Sequence, residues 1–184
     1  MADLPADLTR IVLTEEELQV IVHRLAKELT RDYGGKCPVF VITLKGAFIF
    51  AADLTRRLDF PYTLEFVRTS SYRGTRTTGK VRLEYADDLR ERLEGRHVVI
   101  IEDILDTGLT LQALLSWLGQ CETASLEVCT LLTKPSRLQV PIGPKYVGRE
   151  MPDEFLVGYG LDWNERFRCL PYIASVRTQA IPGD

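Results

Sequence analysis

Only two histidines, two tryptophans and two methionines occur among the 184 residues, and the four cysteines stand singly at Cys37, Cys121, Cys129 and Cys169. There is no Cys-x-x-Cys pair, and His23 and His97 are isolated, so the ligand spacing of a zinc site is missing. The thiols are expected to be small, partly buried side chains in a reducing compartment. No apolar run approaches the ~20 residues of a membrane span. Met1 to Arg10 shows neither the basic n-region nor the apolar h-region of a secretory signal, so a cytoplasmic protein without a membrane partner is expected. One-signed charge is missing too: 23 basic residues face 26 acidic ones, with no block of five like charges. That balance lacks the basic footprint of a general nucleic-acid binder. No Gly-x-Gly-x-x-Gly follows a strand-like run, which leaves a dinucleotide oxidoreductase unsupported. Internal repeats and low-complexity segments are absent as well.

What is present is ordinary globular material, 45% hydrophobic and 27% charged, of a length that suits one well-buried domain. Its chemistry concentrates between Arg96 and Leu111. Val98 to Ile101 are four consecutive β-branched residues, the pattern of a parallel strand buried on both faces. Glu102 and Asp103 follow at the strand's carboxyl end, where open α/β sheets place their ligand crevice. Asp106, Thr107, Gly108 and Thr110 then form a short polar turn opening an amphipathic helix from Leu109 to Gln120. Unpaired N–H groups at the positive end of a helix dipole make such a turn an anion site. An acid pair suited to ribose hydroxyls or a hard cation thus lies one turn from a phosphate cradle, which describes a ribose-phosphate ligand.

The flanking chain alternates strands and helices. Thr14 to Glu17 reads as a capping box, and Leu18, Ile21, Val22, Leu25 and Leu29 continue it at helical spacing to about Gly34-Gly35. Pro38 to Leu44 is a strand ending at Lys45-Gly46, and Ala47 to Leu58 has helical periodicity. Tyr62 to Arg68 and Val81 to Tyr85 read as strands, separated by a polar stretch, Thr69 to Gly79, expected to be an exposed mobile loop. Ser125 to Thr133 is another strand, with Lys134 at its end, where a lysine is ordinarily solvated. Four prolines between 135 and 154 predict an irregular excursion, a small subdomain around a short strand near Lys145 to Gly148. Tyr172 to Val176 closes the series as a last strand.

Glu102-Asp103-Ile104-Leu105-Asp106-Thr107-Gly108-Leu109-Thr110 resembles the phosphoribosyl diphosphate (PRPP) signature of type I phosphoribosyltransferases, in the form found in their 6-oxopurine branch. Leu44-Lys45-Gly46, Ser70-Ser71-Tyr72 and the string from Phe155 to Arg168 resemble further segments of that branch, in the family's order and across most of the chain. The resemblance implies an α/β type I phosphoribosyltransferase fold: one domain over residues 1–184, a doubly wound parallel sheet flanked by helices, and a small hood built from the N- and C-terminal segments. It implies transfer of a 5-phosphoribosyl group from PRPP to hypoxanthine or guanine in purine salvage, with Mg²⁺ as cofactor, in a homodimer or homotetramer. A xanthine-preferring enzyme is the near alternative, and a regulator that keeps the PRPP fold but binds nucleic acid is the distant one.

The same resemblance assigns roles. Glu102 and Asp103 would hold the ribose hydroxyls, Thr107, Gly108 and Thr110 the 5′-phosphate, and Asp106 would be the catalytic base. Leu44, Lys45, Gly46 and Arg168 would meet diphosphate, in a loop where the family often has a cis bond before the lysine. Ser70, Ser71 and Tyr72 would begin a flexible lid over about 69–79. Lys134 would donate to the exocyclic oxygen of the purine, Phe155 would stack on it, and Leu156 and Asp162 would meet its edge. Glu102, Asp103 and Asp162 would serve the metal. Leu109 stands where some members carry a basic residue, Trp163 where tyrosine is usual and Cys169 where Asp or Asn is usual, departures that bear on base preference and kinetics.

Overall fold

The computed structural model describes residues 4–71, 81–84 and 88–177. Two sheets organise them. The larger has the order β4-β3-β2-β5-β6-β7, formed by Val81–Glu84, Thr63–Ser71, Val39–Leu44, His97–Leu105, Ser125–Thr133 and Tyr146–Glu150. Five of these run parallel and β4 is an antiparallel edge. The smaller sheet is antiparallel, with β9 (Ile173–Val176) between β1 (Leu8–Leu13) and β8 (Leu156–Val157).

Alternation along the buried strands explains why helices cover both faces. Phe40, Ile42, Val99 and Ile101 point to one side, where they meet α1 (Glu15–Tyr33) and α2 (Phe48–Thr55). Val39, Val41, Val98 and Ile100 point to the other, against α3 (Leu89–Leu93) and α4 (Leu109–Leu118). Each fully buried Val, Ile or Leu contributes about 1.5–3 kcal/mol over an exposed one. The doubly wound sheet read from the sequence is therefore present.

Helix α1 starts as read: Thr14 accepts from the Glu17 backbone N–H while Glu17 accepts from that of Thr14. Several expectations need correction. Helix α2 ends at Thr55, short of Leu58. The central strand does not stop at its acids, because pairing with β6 continues to Leu105↔Thr133. The excursion after Lys134 is no subdomain, since Tyr146–Glu150 joins the main sheet parallel to β6. Thr69 to Ser71 extend β3 opposite β4, so the loop does not begin at 69. Its remainder, Tyr72 to Gly79, lies outside the described residues. Cys37 and Cys169 are exposed, while Cys121 and Cys129 are buried, which raises the pKa of both buried thiols. Among the described residues no helix is long and apolar enough to cross a membrane.

Topology also locates the crevice. From β2 the chain steps outward to β3 and β4, then returns to place β5 on β2's other side. Ligands bind at such a reversal, beyond the carboxyl ends of the strands. Pairing of β2 with β5 ends at Ile42↔Ile101, so the strands part as the chain reaches Lys45 and Glu102.

Candidate active site

Two cavities open at this reversal. One of about 360 Å³ is lined in part by Lys45, Asp103, Asp106, Lys134, Phe155, Asp162 and Arg168. A smaller one of about 150 Å³ is lined in part by Glu102, Asp106, Thr107, Gly108 and Thr110. Ile104 and Asp106 line both, making the two spaces adjacent parts of one crevice. The structure thus brings together nearly all the residues singled out in the sequence. Leu44 lines neither cavity. Ser70 and Ser71 belong to β3, and Tyr72 lies outside the described residues.

The loop after β2 is wedged between two neighbours. The peptide bond between Leu44 and Lys45 is cis. A Cβ on Gly46 would lie 1.6 Å from Asp103 Oδ2, and one on Gly160 would lie 2.0 Å from the Gly46 carbonyl oxygen. Only two glycines in contact let the acid pair, the loop and the C-terminal turn approach this closely.

Burial raises the pKa of Glu102 well above its usual range, and the neighbouring Asp103 charge adds to the effect. Burial also raises that of Asp103, opposed by hydrogen bonds, including one from the Ile104 N–H at 2.9 Å, and by the charge of Arg168. Two desolvated carboxyls side by side favour ligands that bring hydroxyl donors or positive charge.

Beyond them Gly108, at φ 83°, turns the chain into α4. The first N–H groups of this helix have no partner within it, and they border the smaller cavity. The loop is braced where Gln139 N–H donates to the Thr107 carbonyl at 3.0 Å.

Asp106 stands between two cations. Arg137 Nε donates to its Oδ1 at 2.6 Å, and Lys134 Nζ lies 3.9 Å from Oδ2. Lys134 is only 6% exposed, contrary to the solvated lysine usual at such a strand end. It directly follows the stretch of β6 that β7 covers, where Met151 N–H donates to the Thr133 carbonyl. Phe155 is 42% exposed and presents its ring at the rim of the larger cavity.

The C-terminal wall is a tight turn. Arg168 donates to the Gly160 carbonyl at 2.6 Å and pairs with Asp162 at 2.7 Å and Glu165 at 3.1 Å. Glu165 also pairs with Lys45 at 3.0 Å. Its carboxyl is held below the usual range, first by the hydrogen bond from Lys45 and then by that from Arg168. Trp163 stacks on Phe167, with Arg166 over both rings, and Leu109 is exposed at the start of α4.

Among the described residues no three acidic, histidine or cysteine side chains converge closely enough to hold a metal by themselves. Asp103 and Asp162 nevertheless line the same cavity. That donor set fits Mg²⁺, which keeps waters and takes one or two carboxylates together with substrate phosphate oxygens.

Arg137 and Glu165 were not singled out by the sequence reading. Arg137 lies three residues after Lys134 in a single 3₁₀ turn, and only that turn aims it at Asp106. Glu165 was inside the string from Phe155 to Arg168, but nothing local signals its partner 120 residues away.

A family model for the phosphoribosyl transferase domain matches residues 11–164. The chain is 45% identical over 174 residues to a hypoxanthine-guanine phosphoribosyltransferase of Staphylococcus aureus strain Mu50, covering 94% of this chain and 96% of the relative. Its fold is similar to the crystal structure of a hypoxanthine phosphoribosyltransferase from Staphylococcus aureus, with a TM-score of 0.88 and 43% identity across 96% of each chain. A hypoxanthine phosphoribosyl transferase structure from Trypanosoma cruzi gives 0.89 at 37% identity, covering 96% of this chain and 95% of that one. With a family match over most of its length and relatives this similar in sequence and fold, the chain belongs to the phosphoribosyl transferase family, in the group that holds the hypoxanthine-guanine enzymes.

Proposed function

We propose that this protein transfers the 5-phosphoribosyl group of PRPP to hypoxanthine or guanine, giving the nucleoside monophosphate and diphosphate. One observation carries the reading: a single crevice presents a helix N-terminus, a desolvated acid pair and a Lys–Arg pair side by side. Those three features match the phosphate, ribose hydroxyls and diphosphate of PRPP.

In this reading Thr107, Gly108 and Thr110 bind the 5′-phosphate, while Glu102 and Asp103 fix the ribose for in-line attack at its anomeric carbon. Lys45 and Arg168, beside Leu44 and Gly46, stabilise negative charge as the bond to diphosphate breaks. Phe155 stacks on the purine, Leu156 and Asp162 border its edge, and Lys134 donates to its exocyclic oxygen, since an ammonium has donors and no acceptor. Asp106 takes the proton from the attacking ring nitrogen as the new bond to carbon forms. Mg²⁺ bound near Asp103 and Asp162, with Glu102 adjoining, would supply positive charge to the phosphate oxygens. The chain acts in the cytoplasm as one domain, with the β1-β9-β8 sheet as its hood, and assembles as a homodimer or homotetramer.

The test is product formation by purified protein with PRPP and Mg²⁺, supplied separately with hypoxanthine, guanine, xanthine and adenine. Turnover of hypoxanthine and guanine is expected. Turnover of xanthine above both would reassign the substrate, and PRPP binding without turnover of any base would point to a regulator.

A further inference from the structure

Glu165 has no assigned part in the reaction above, yet it occupies the space between the two cations read as the diphosphate site. Its Oε1 lies 3.0 Å from Lys45 Nζ and its Oε2 lies 3.1 Å from Arg168 Nη2. Each carboxylate oxygen therefore takes one cation, as two oxygens of a phosphoryl group would. The contact joins the end of β2 to a turn 120 residues later, so no local helix or strand pairing produces it.

The backbone is arranged to hold this carboxylate in place. Asn164, Glu165 and Phe167 have φ of 51°, 61° and 70°, left-handed values that non-glycine residues rarely adopt. The turn is pinned where Glu165 N–H donates to Asp162 Oδ2 at 2.8 Å, and by paired backbone bonds between Trp163 and Arg166. Such strain persists where surrounding structure enforces it, and it clusters at working sites. The carboxylate itself is 65% exposed, so water and salt weaken its pairs and keep them exchangeable.

We infer that Glu165 is an internal stand-in for diphosphate, holding Lys45 and Arg168 together between turnovers, yielding to incoming PRPP and competing again as diphosphate leaves. The inference rests on the phosphoribosyl transfer proposed above. Two cations converging on one site repel each other, and the carboxylate removes that repulsion before the substrate arrives. A diphosphate carries more negative charge and more acceptor oxygens, so it displaces the side chain. The contest weakens binding of product as well as substrate, which favours diphosphate release.

The test uses the whole protein with Mg²⁺, comparing wild type, Glu165→Gln and Glu165→Asp. Inorganic diphosphate is titrated by calorimetry, and KM is measured for PRPP and for hypoxanthine. Loss of the competing charge should tighten diphosphate binding and lower the KM for PRPP by about two- to fivefold, the scale of exposed ion pairs. The KM for hypoxanthine should stay within about twofold, and the Asp variant, which keeps the charge, should lie between Gln and wild type. A residue that merely holds the turn would give weaker or unchanged diphosphate binding on substitution, and either result overturns the inference. Failure of the wild-type protein to bind diphosphate at all would instead remove the phosphoribosyl reading beneath it.

Discussion

At the amino end of the central sheet, Asp32 accepts from Arg31 at 2.8 Å and from the Tyr146 hydroxyl at 2.7 Å, with Lys145 at 3.4 Å. Hydrogen bonds from Arg31 and Tyr146 hold its carboxyl far below the usual range. At the carboxyl end, Glu102 and Asp103 are pushed the other way, chiefly because burial strips them of water, and the Asp103 charge pushes Glu102 further. The same sheet thus carries acids of opposite character at its two ends. A cavity of about 420 Å³ at the amino end exceeds the 360 Å³ of the candidate active site, so size does not separate them. What separates them is where the acids find their partners. Those at the amino end satisfy one another within the fold, whereas the pair at the carboxyl end waits for donors that a ligand must bring.

The comparison can be broken most sharply at Asp106. Asp106→Ala should lower kcat by about 10²–10⁴, the range of a lost general base, while the KM for PRPP changes far less. An unchanged kcat would remove Asp106 as the base.

A smaller effect of opposite kind is expected at the other end. Asp32→Asn should cost about 1–3 kcal/mol of stability at pH 7 with activity retained, because hydrogen bonds to a charged acceptor are lost. A depressed folded pKa gives stability that is present above the unfolded value and lost on acidification. The deficit should therefore shrink as pH falls below the ordinary value of 3.8, which denaturant titrations across pH would show.

Glu102→Gln should have the smallest effect and the reverse sign, raising Tm at pH 8 by on the order of a few degrees while weakening PRPP binding. With its folded pKa raised, Glu102 penalises the fold progressively as pH climbs above the ordinary value of 4.5. The gain should grow with pH over that interval and vanish near its lower limit. A destabilised variant would mean that Glu102 is a structural acid like Asp32.

The carboxyl end was legible in the sequence because its chemistry is local. Val98 to Ile101 announce a buried strand, and Asp106 to Thr110 announce the turn into α4, all within one short string. The family segments around Lys45 and Phe155, and the role of Lys134, came from resemblance, and topology gathers these residues at the reversal. Partners set by distance in space were not legible. Arg137 meets Asp106 through a 3₁₀ turn, and Glu165 meets Lys45 through a turn of left-handed residues. The short strand near Lys145 to Gly148 was legible, but not its parallel pairing with β6 in the main sheet, and Lys134 looked solvated although it is buried at the end of β6. Helix α3, five residues long, carries too little periodicity to be read.

The small sheet has a consequence in time. Among the described residues its strand β1 pairs only with β9, whose residues Ile173–Val176 emerge about 160 residues after Leu13. At synthesis rates of about 5–20 residues per second, β1 waits roughly 8–32 s for its partner. Throughout that interval the earliest strand is a bare edge, open to pairing with another chain. Arg10 at its centre and Thr9 beside it are the polar residues that this exposed beginning presents to the cell before the last strand arrives.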